Sequence, residues 1–249
     1  MSEFIVVIPA RFASERLPGK PLRAIAGKTM LEHVYERGRE SDATEVIIAT
    51  DDQRIEAAAT SFGADVCMTA ADHGSGTDRL AEVARLRGWP GEQVVVNLQG
   101  DEPLMPAALV NQCALLLDDD KADISTLASP LASREDYLNP NVVKVVCDAD
   151  ARALYFSRAP IPHARNPVDT ELALATALHH HGIYGYRSRT LQRIVASSPS
   201  DLETCEHLEQ LRALSLGMVI KVGVPAQRPG PGIDTEDDLA AAQSWMSTT

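Results

Sequence analysis

Aromatic residues supply only 4% of this 249-residue chain, which argues against single-stranded nucleic-acid binding on stacking platforms. Basic residues are also in the minority, 23 Lys and Arg against 35 Asp and Glu, and a net charge of −12 repels a polyphosphate backbone. The four cysteines, Cys67, Cys113, Cys147 and Cys205, lie far apart with no CxxC pair, so they do not read as a zinc framework. No apolar run is long enough to span a bilayer, and the chain opens directly on a strand-like FIVVIP rather than a signal peptide. The expectation is a reduced, cytoplasmic protein, without nucleic-acid or membrane partners, whose cysteines are mostly small core residues. Repeats and low-complexity tracts are missing too. With 45% hydrophobic residues to build a core and no visible linker, residues 1–249 read as a single domain.

What is present is alternation. FIVVIPA (4–10), EVIIATD (45–51), ADVCMT (64–69) and QVVVNLQ (93–99) read as strands buried on both faces. Between them, TMLEHVYERGRE (29–40), DQRIEAAATSFG (52–63) and GTDRLAEVARLRG (76–88) have helical spacing. This predicts an α/β fold, a Rossmann-like three-layer sandwich around a central, mostly parallel mixed sheet. After residue 120 the strand candidates ISTLASP, NVVKVVC, ALYFSR and HHHGIYGYR crowd together around one short helix, SREDYL, so a β-rich insertion is expected in the second half. Residues 161–170 (IPHARNPVDT) read as a loop. Residues 201–217 read as one helix with Asp201 as N-cap and Gly217 as stop. MVIKVGV follows as a strand, and a final helix, TEDDLAAAQSWM, starts on Asp234 or Thr235.

The densest chemical feature is PARFASERLPGKPL (9–22), between the first buried strand and a helix. Ligands of open α/β sheets collect at the carboxyl ends of strands. A loop there carrying Arg11, Ser14, Arg16, Gly19 and Lys20 offers main-chain donors and fixed cations to a phosphate chain. It has neither the GxxxxGK[ST] spacing of a P-loop nor a GxGxxG dinucleotide fingerprint. Asp101 in QGDEP sits at the end of the fourth predicted strand, either as a Mg²⁺ ligand or as a turn cap. On local grounds Asp234 reads as a helix cap, and Ser75 or Thr77 as an N-cap where small residues also admit a ligand. On a regular strand His179 and His181 share a face, but no third ligand at metal spacing accompanies them. Arg158 reads locally as a surface ion pair, Glu209 and Gln210 as a solvated helical face, and Tyr184 and Tyr186 as core.

RFASERLPGKPL, ADHGSGTDR (71–79), NLQGDEP (97–103), YFSRAPIP (155–162), GIYGYR (182–187), LEQLR (208–212) and GIDTEDDL (232–239) fall in an order that resembles the sugar-activating cytidylyltransferases. Within them the likeness is to the group acting on 3-deoxy-manno-octulosonate (KDO), an eight-carbon acidic sugar. The resemblance spans nearly the whole chain. It implies a Mg²⁺-dependent homodimer that joins CMP from CTP to KDO, releasing pyrophosphate, for lipopolysaccharide synthesis. Another acidic sugar (amino-KDO or sialic acid) and a non-catalytic nucleotide sensor are the alternatives. It also implies that Arg11, Ser14, Arg16, Lys20, Ser75 and Gln99 bind CTP and that Asp101 and Asp234 hold the metal. Arg11, Lys20, Asp101 and Asp234 would carry the catalysis. Arg79, Arg158, His181, Tyr184, Tyr186, Glu209 and Gln210 would face the sugar, and residues of about 120–225 would serve sugar binding and dimerisation. Two stretches depart from the usual pattern, Ser200–Glu203 and the PHARN turn after Ile161, and both lie near the implied sugar or dimer surfaces.

Overall fold

The computed structural model describes residues 3–13, 17–225, 227 and 229–246. Ser14 and Arg16 lie outside them. In chain order the elements are β1 (Phe4–Ala10), β2 (Ala24–Ile25), β3 (Lys28–Thr29), α1 (Met30–Arg39), β4 (Glu45–Thr50), α2 (Gln53–Ser61), β5 (Asp65–Met68), α3 (Gly76–Leu86) and β6 (Val94–Asn97). There follow α4 (Ala107–Leu115), β7 (Ile124–Pro130), α5 (Arg134–Leu138), β8 (Lys144–Cys147), β9 (Ala153–Ser157) and α6 (Thr170–Thr176). The chain closes with β10 (Leu178–Arg187), α7 (Ser188–Val195), α8 (Asp201–Glu206), α9 (Gln210–Ser215), β11 (Ile220–Gly223) and α10 (Glu236–Met246).

The strands of the main sheet lie in the order β11-β7-β10-β6-β1-β4-β5. β1 pairs in parallel with β4 and β6, β4 with β5, and β7 with β11. β10 runs antiparallel between β6 and β7, and the β8–β9 hairpin hangs from its start. This is the mixed sheet with a β-rich appendage in the second half that the sequence predicts. The unbroken apolar run of β1 serves both faces. Ile5 and Val7 join Leu80, Val83, Leu191 and Leu211 of α3, α7 and α9. Phe4, Val6 and Ile8 join Leu31, Ile55, Leu109 and Val110 of α1, α2 and α4. Each such side chain fully withdrawn from water contributes about 1.5–3 kcal/mol. The cluster formed by Leu17, Ile25, Met30, Ile233, Leu239 and Ala242 straps the chain's last helix onto the start of its first one.

Two expectations need correction. Residues 201–217 form two short helices, not one. Ser200, not Asp201, is the cap: Ser200 Oγ accepts from Glu203 N and Glu203 returns a carboxylate oxygen to Ser200 N, both at 3.2 Å, a capping box. The break falls at His207, which adopts the left-handed conformation (φ 52°), and Arg158 draws off the carbonyls there. Its Nε donates to Glu206 O at 2.7 Å and its Nη2 to His207 O at 3.4 Å. Gly217 (φ 73°) does end α9 as predicted. The second correction concerns β10. The resemblance implies that His181 faces the sugar with the tyrosines, but strand alternation puts His180 on the face of Tyr184 and Tyr186, and the bulge between His181 and Tyr184 adds two residues and keeps that parity. The His180 and Tyr184 rings lie 5.3 Å apart.

A candidate active site over the sheet's carboxyl edge

The loops leaving β1 and β6, the start of α3, strand β10 and the α8–α9 break enclose a cleft of two connected chambers, about 740 and 400 Å³. Arg11, Gly76, Gln99 and Asp101 line both.

The first chamber is built around Lys20. Gly19, at φ 65°, turns the chain back so that its own N–H reaches Phe12 O (3.3 Å), and a Cβ there would come within 3.2 Å of the Phe12 ring. Glycine alone takes this conformation without strain. Pro21 then opens a single 3-10 turn over Lys20–Leu22, which buries the lysine stem and aims its ammonium inward. Gly100 lets the β6 loop lie flat on β1, since a Cβ at that position would stand 2.9 Å from Pro9 O. The same loop captures the distant 230s, as Ile233 N donates to Asp101 O at 3.0 Å. Asp101 and Asp234 thereby meet on one cation: Lys20 Nζ donates to Asp101 Oδ2 at 2.7 Å and to Asp234 Oδ1 at 2.8 Å. Burial pulls the lysine pKa down, but the charges and bonds of the two carboxylates outweigh it and hold it above its ordinary value. The helix cap is made by neighbours instead: Thr235 Oγ1 accepts from Asp238 N, and the Asp238 carboxylate accepts from Asp234 N and Thr235 N. Asp234 is thus placed for the cleft.

Arg79 lies in this chamber too, 1% exposed. Its guanidinium pairs with Asp51 (3.1 Å) and donates to Thr69 Oγ1, while Nε finds no hydrogen-bond acceptor among the described residues. Desolvation lowers its pKa, opposed by Asp51 and reinforced by Arg11. A buried guanidinium with spare donors beside Arg11 and Lys20 makes an anion-binding floor.

The second chamber is polar and sugar-sized. Ser75 lines it and also caps α3, its Oγ accepting from Asp78 N at 3.1 Å while Asp78 accepts from Ser75 N. The cap uses the oxygen as acceptor and leaves the O–H as donor. Tyr184 and Tyr186 stack 5.8 Å apart, and burial pushes both phenols well above their ordinary pKa, so they stand as neutral hydroxyls. Thr77 Oγ1 donates to Glu209 Oε2 at 2.8 Å; crowding by protein raises the Glu209 pKa against that bond. Gln210 Nε2 and Asn97 Oδ1 are buried without hydrogen-bond partners among the described residues, one donor and one acceptor on the same cleft wall. Burial, then the Asp101 charge, push Glu102 up to about 8.

Of the residues singled out in the sequence, Arg11, Lys20, Ser75, Arg79, Gln99, Asp101, Tyr184, Tyr186, Glu209, Gln210 and Asp234 line this cleft. Arg79 falls on the Lys20 side, away from the tyrosines. His181 and Arg158 do not line it. His181 Nε2 bonds Ser129 Oγ at 3.0 Å. The Arg158 guanidinium is engaged by the carbonyls of Pro140, Glu206 and His207, a consequence of the α8–α9 break that continuous helical spacing concealed. Asn97 is the residue that sequence reasoning passed over, because NLQ continues an apolar strand; its signal is a polar side chain in the last strand position before QGD.

The family model described as cytidylyltransferase matches residues 5–220. The structure of CMP:2-keto-3-deoxy-manno-octonic acid synthetase complexed with CTP is similar at 41% identity and a TM-score of 0.91, covering 99% of each chain. A cytidylyltransferase from Leptospira borgpetersenii is 17% identical, with a TM-score of 0.65 over 100% of this chain and 88% of that one. The 4-diphosphocytidyl-2C-methyl-D-erythritol synthase from Anaerococcus prevotii is 13% identical, with a TM-score of 0.64 over 98% and 99%. These last two share the fold alone. With a matching family model across most of its length and a 41% identical relative across nearly all of it, this chain belongs to the cytidylyltransferase family.

Proposed function

We propose that this protein transfers CMP from CTP to KDO and releases pyrophosphate. The observation that carries the reading is the end-to-end likeness to a CTP-bound KDO-activating synthetase, 41% identical over 99% of both chains. The cleft supports it, with cations and carboxylates at one end and neutral polar groups at the other. In this reading Arg11, Lys20 and Arg79 hold the triphosphate, and Ser75 and Gln99 read the cytosine. Tyr184, Tyr186, Glu209, Gln210 and Asn97 present donors and acceptors to the sugar hydroxyls. No covalent intermediate is needed, so positioning the anomeric hydroxyl in line with the α-phosphate is the protein's main contribution.

Magnesium fits the first chamber, because two hard carboxylates already converge on one cationic point there. Mg²⁺ is characteristically held by one or two carboxylates together with substrate phosphates. Asp101 and Asp234 would hold it, and when bound the ion would screen the triphosphate and the departing pyrophosphate. A homodimer is supported by exposed apolar side chains on the β-rich appendage and its helices: Leu138, Leu154, Val168 and Leu172 are 55–84% exposed. No helix among the described residues is long and apolar enough to cross a membrane.

The test is pyrophosphate release with Mg²⁺, four nucleotides and a panel of acidic sugars. KDO with CTP should turn over, N-acetylneuraminate should not, and ATP and GTP should be poor. Equal turnover with a purine nucleotide would sink the base assignment. A second measurement addresses Arg158. Ser157 Oγ and Arg158 N both donate to the Glu206 carboxylate (2.7 and 2.8 Å), so Arg158 and Glu206 together hold the His207 break that presents Glu209 and Gln210. Arg158→Ala and Glu206→Ala should each raise the sugar KM by about 10-fold through misplacement of that wall, leave the CTP KM nearly unchanged, and combine non-additively. A silent Glu206→Ala beside a damaging Arg158→Ala would instead put the guanidinium on the sugar itself.

A further inference from the structure

The Lys20 ammonium stands at the point where Asp101 and Asp234 converge, 2.7 and 2.8 Å from one oxygen of each. A magnesium ion bridging the same two side chains needs oxygens at about 2.0–2.1 Å. An ammonium and a divalent ion cannot occupy that space together, so the two cations compete for one carboxylate pair. Lys20 is well placed to compete. Its main chain is pinned by bonds from Lys20 N to Leu17 O and from Arg23 N to Lys20 O, both 3.1 Å, and its side chain is 11% exposed. Only the last few bonds can swing. The alternative partner for that swing lies in the same chamber, where Arg11 and Arg79 form the anion-binding floor. A triphosphate there carries up to four negative charges against two on the carboxylates.

We infer that Lys20 is a built-in competitor for the metal site, which a bound polyphosphate draws away, so that divalent metal engages Asp101 and Asp234 strongly only when nucleotide is present. The inference rests on the proposed reaction only for the identity of the nucleotide. Lys20 then has two successive roles, neutralising the carboxylate pair and afterwards the phosphates. By linkage, nucleotide raises metal affinity by the same factor as metal raises nucleotide affinity.

The experiment is Mn²⁺ binding to nucleotide-free protein, read from the loss of the free-ion electron paramagnetic resonance signal. Lys20→Met should bind one Mn²⁺ at least about 10-fold more tightly than the unaltered protein, within the usual range of coupling between sites. Adding Asp101→Asn to Lys20→Met should abolish that gain. Lys20→Gln, which keeps a polar head without charge, should behave like Lys20→Met and serves if the methionine variant fails to fold by circular dichroism. Mn²⁺ affinity unchanged in Lys20→Met or Lys20→Gln would overturn the inference. So would a gain that survives Asp101→Asn, because the new ion would then lie elsewhere. None of these arms uses CTP or sugar, so a failure of the KDO reaction in the pyrophosphate assay is distinguishable from a failure here.

Discussion

Asp101→Asn and Asp234→Asn are each expected to lower turnover by about 10²–10³-fold, the usual cost of removing one preorganised electrostatic contact to the transition state. The fold should survive both. Asp101's structural duty is carried by its carbonyl, which accepts from Ile233 N, and asparagine keeps that carbonyl. Asp234 is relieved of capping by Thr235 and Asp238, so its substitution leaves the start of α10 intact. Both carboxylates are partly open to the cleft, with side chains 38% and 48% exposed, and losing one ion pair to Lys20 there costs little stability. The loss should therefore appear as weaker apparent magnesium affinity and lower kcat in a metal titration of pyrophosphate release, with an unchanged circular dichroism spectrum. Near-normal turnover of either variant at low magnesium would exclude that residue as a ligand. A purely capping Asp234 would make Asp234→Asn silent, since asparagine caps as well as aspartate.

The first half of the fold was legible because its central strands β1, β4 and β6 are buried on both faces; β5, expected to be the same, is the sheet's edge and leaves Asp65 and Met68 exposed. FIVVIPA, VIIA within EVIIAT and VVV within VVVN are apolar runs of the kind a central parallel sheet needs, and each strand lies within two residues of its expected limits. Helices α4 and α7 have no counterpart among the expected elements. AALVNQCAL is apolar nearly all round and shows little periodicity, while SRTLQRIV is short and follows a strand without a break. The α8–α9 break was hidden for a different reason. A left-handed histidine held by a distant arginine leaves no glycine or proline in the sequence to mark it. The β10 bulge likewise depends on pairing with β7, which a single strand's alternation does not encode; His181 was expected in the cleft from the resemblance, although alternation alone sets His180 with the tyrosines. At the cation and carboxylate end of the cleft, Arg11, Lys20 and Asp101 were readable because they lie in loops after strand ends, whereas Asp234 read locally as a helix cap and was placed there only by the resemblance. The end lined by the tyrosines depends on which way one short loop turns, and there Asn97 lines the cleft while Arg158 holds the loop's carbonyls.

That loop has a second support, and removing it should give the largest loss of stability. Arg212 Nε and Nη2 donate to the two Glu203 carboxylate oxygens at 2.8 and 2.5 Å, and Nη1 donates to Ser197 O at 3.3 Å. Both side chains are about one-tenth exposed, and the paired carboxylate raises the Arg212 pKa above its ordinary value. Arg212→Met would strand the Glu203 charge in the protein with, among the described residues, only Ser200 N to accept from. Breaking a buried pair from one side costs about 3–5 kcal/mol, which for a chain of this size lowers the melting temperature by about 10 °C. The double variant Arg212→Met with Glu203→Met removes the stranded charge as well and should recover most of the loss, minus the capping bond to Ser200. Because α8 and α9 carry Glu209 and Gln210 between them, Arg212→Met should also raise the sugar KM, and the double variant should not restore it. Thermal unfolding of the two variants beside the unaltered protein decides the energetic claim: equal melting temperatures for the single and the double variant would mean that the Glu203 charge is solvated and the pair contributes little.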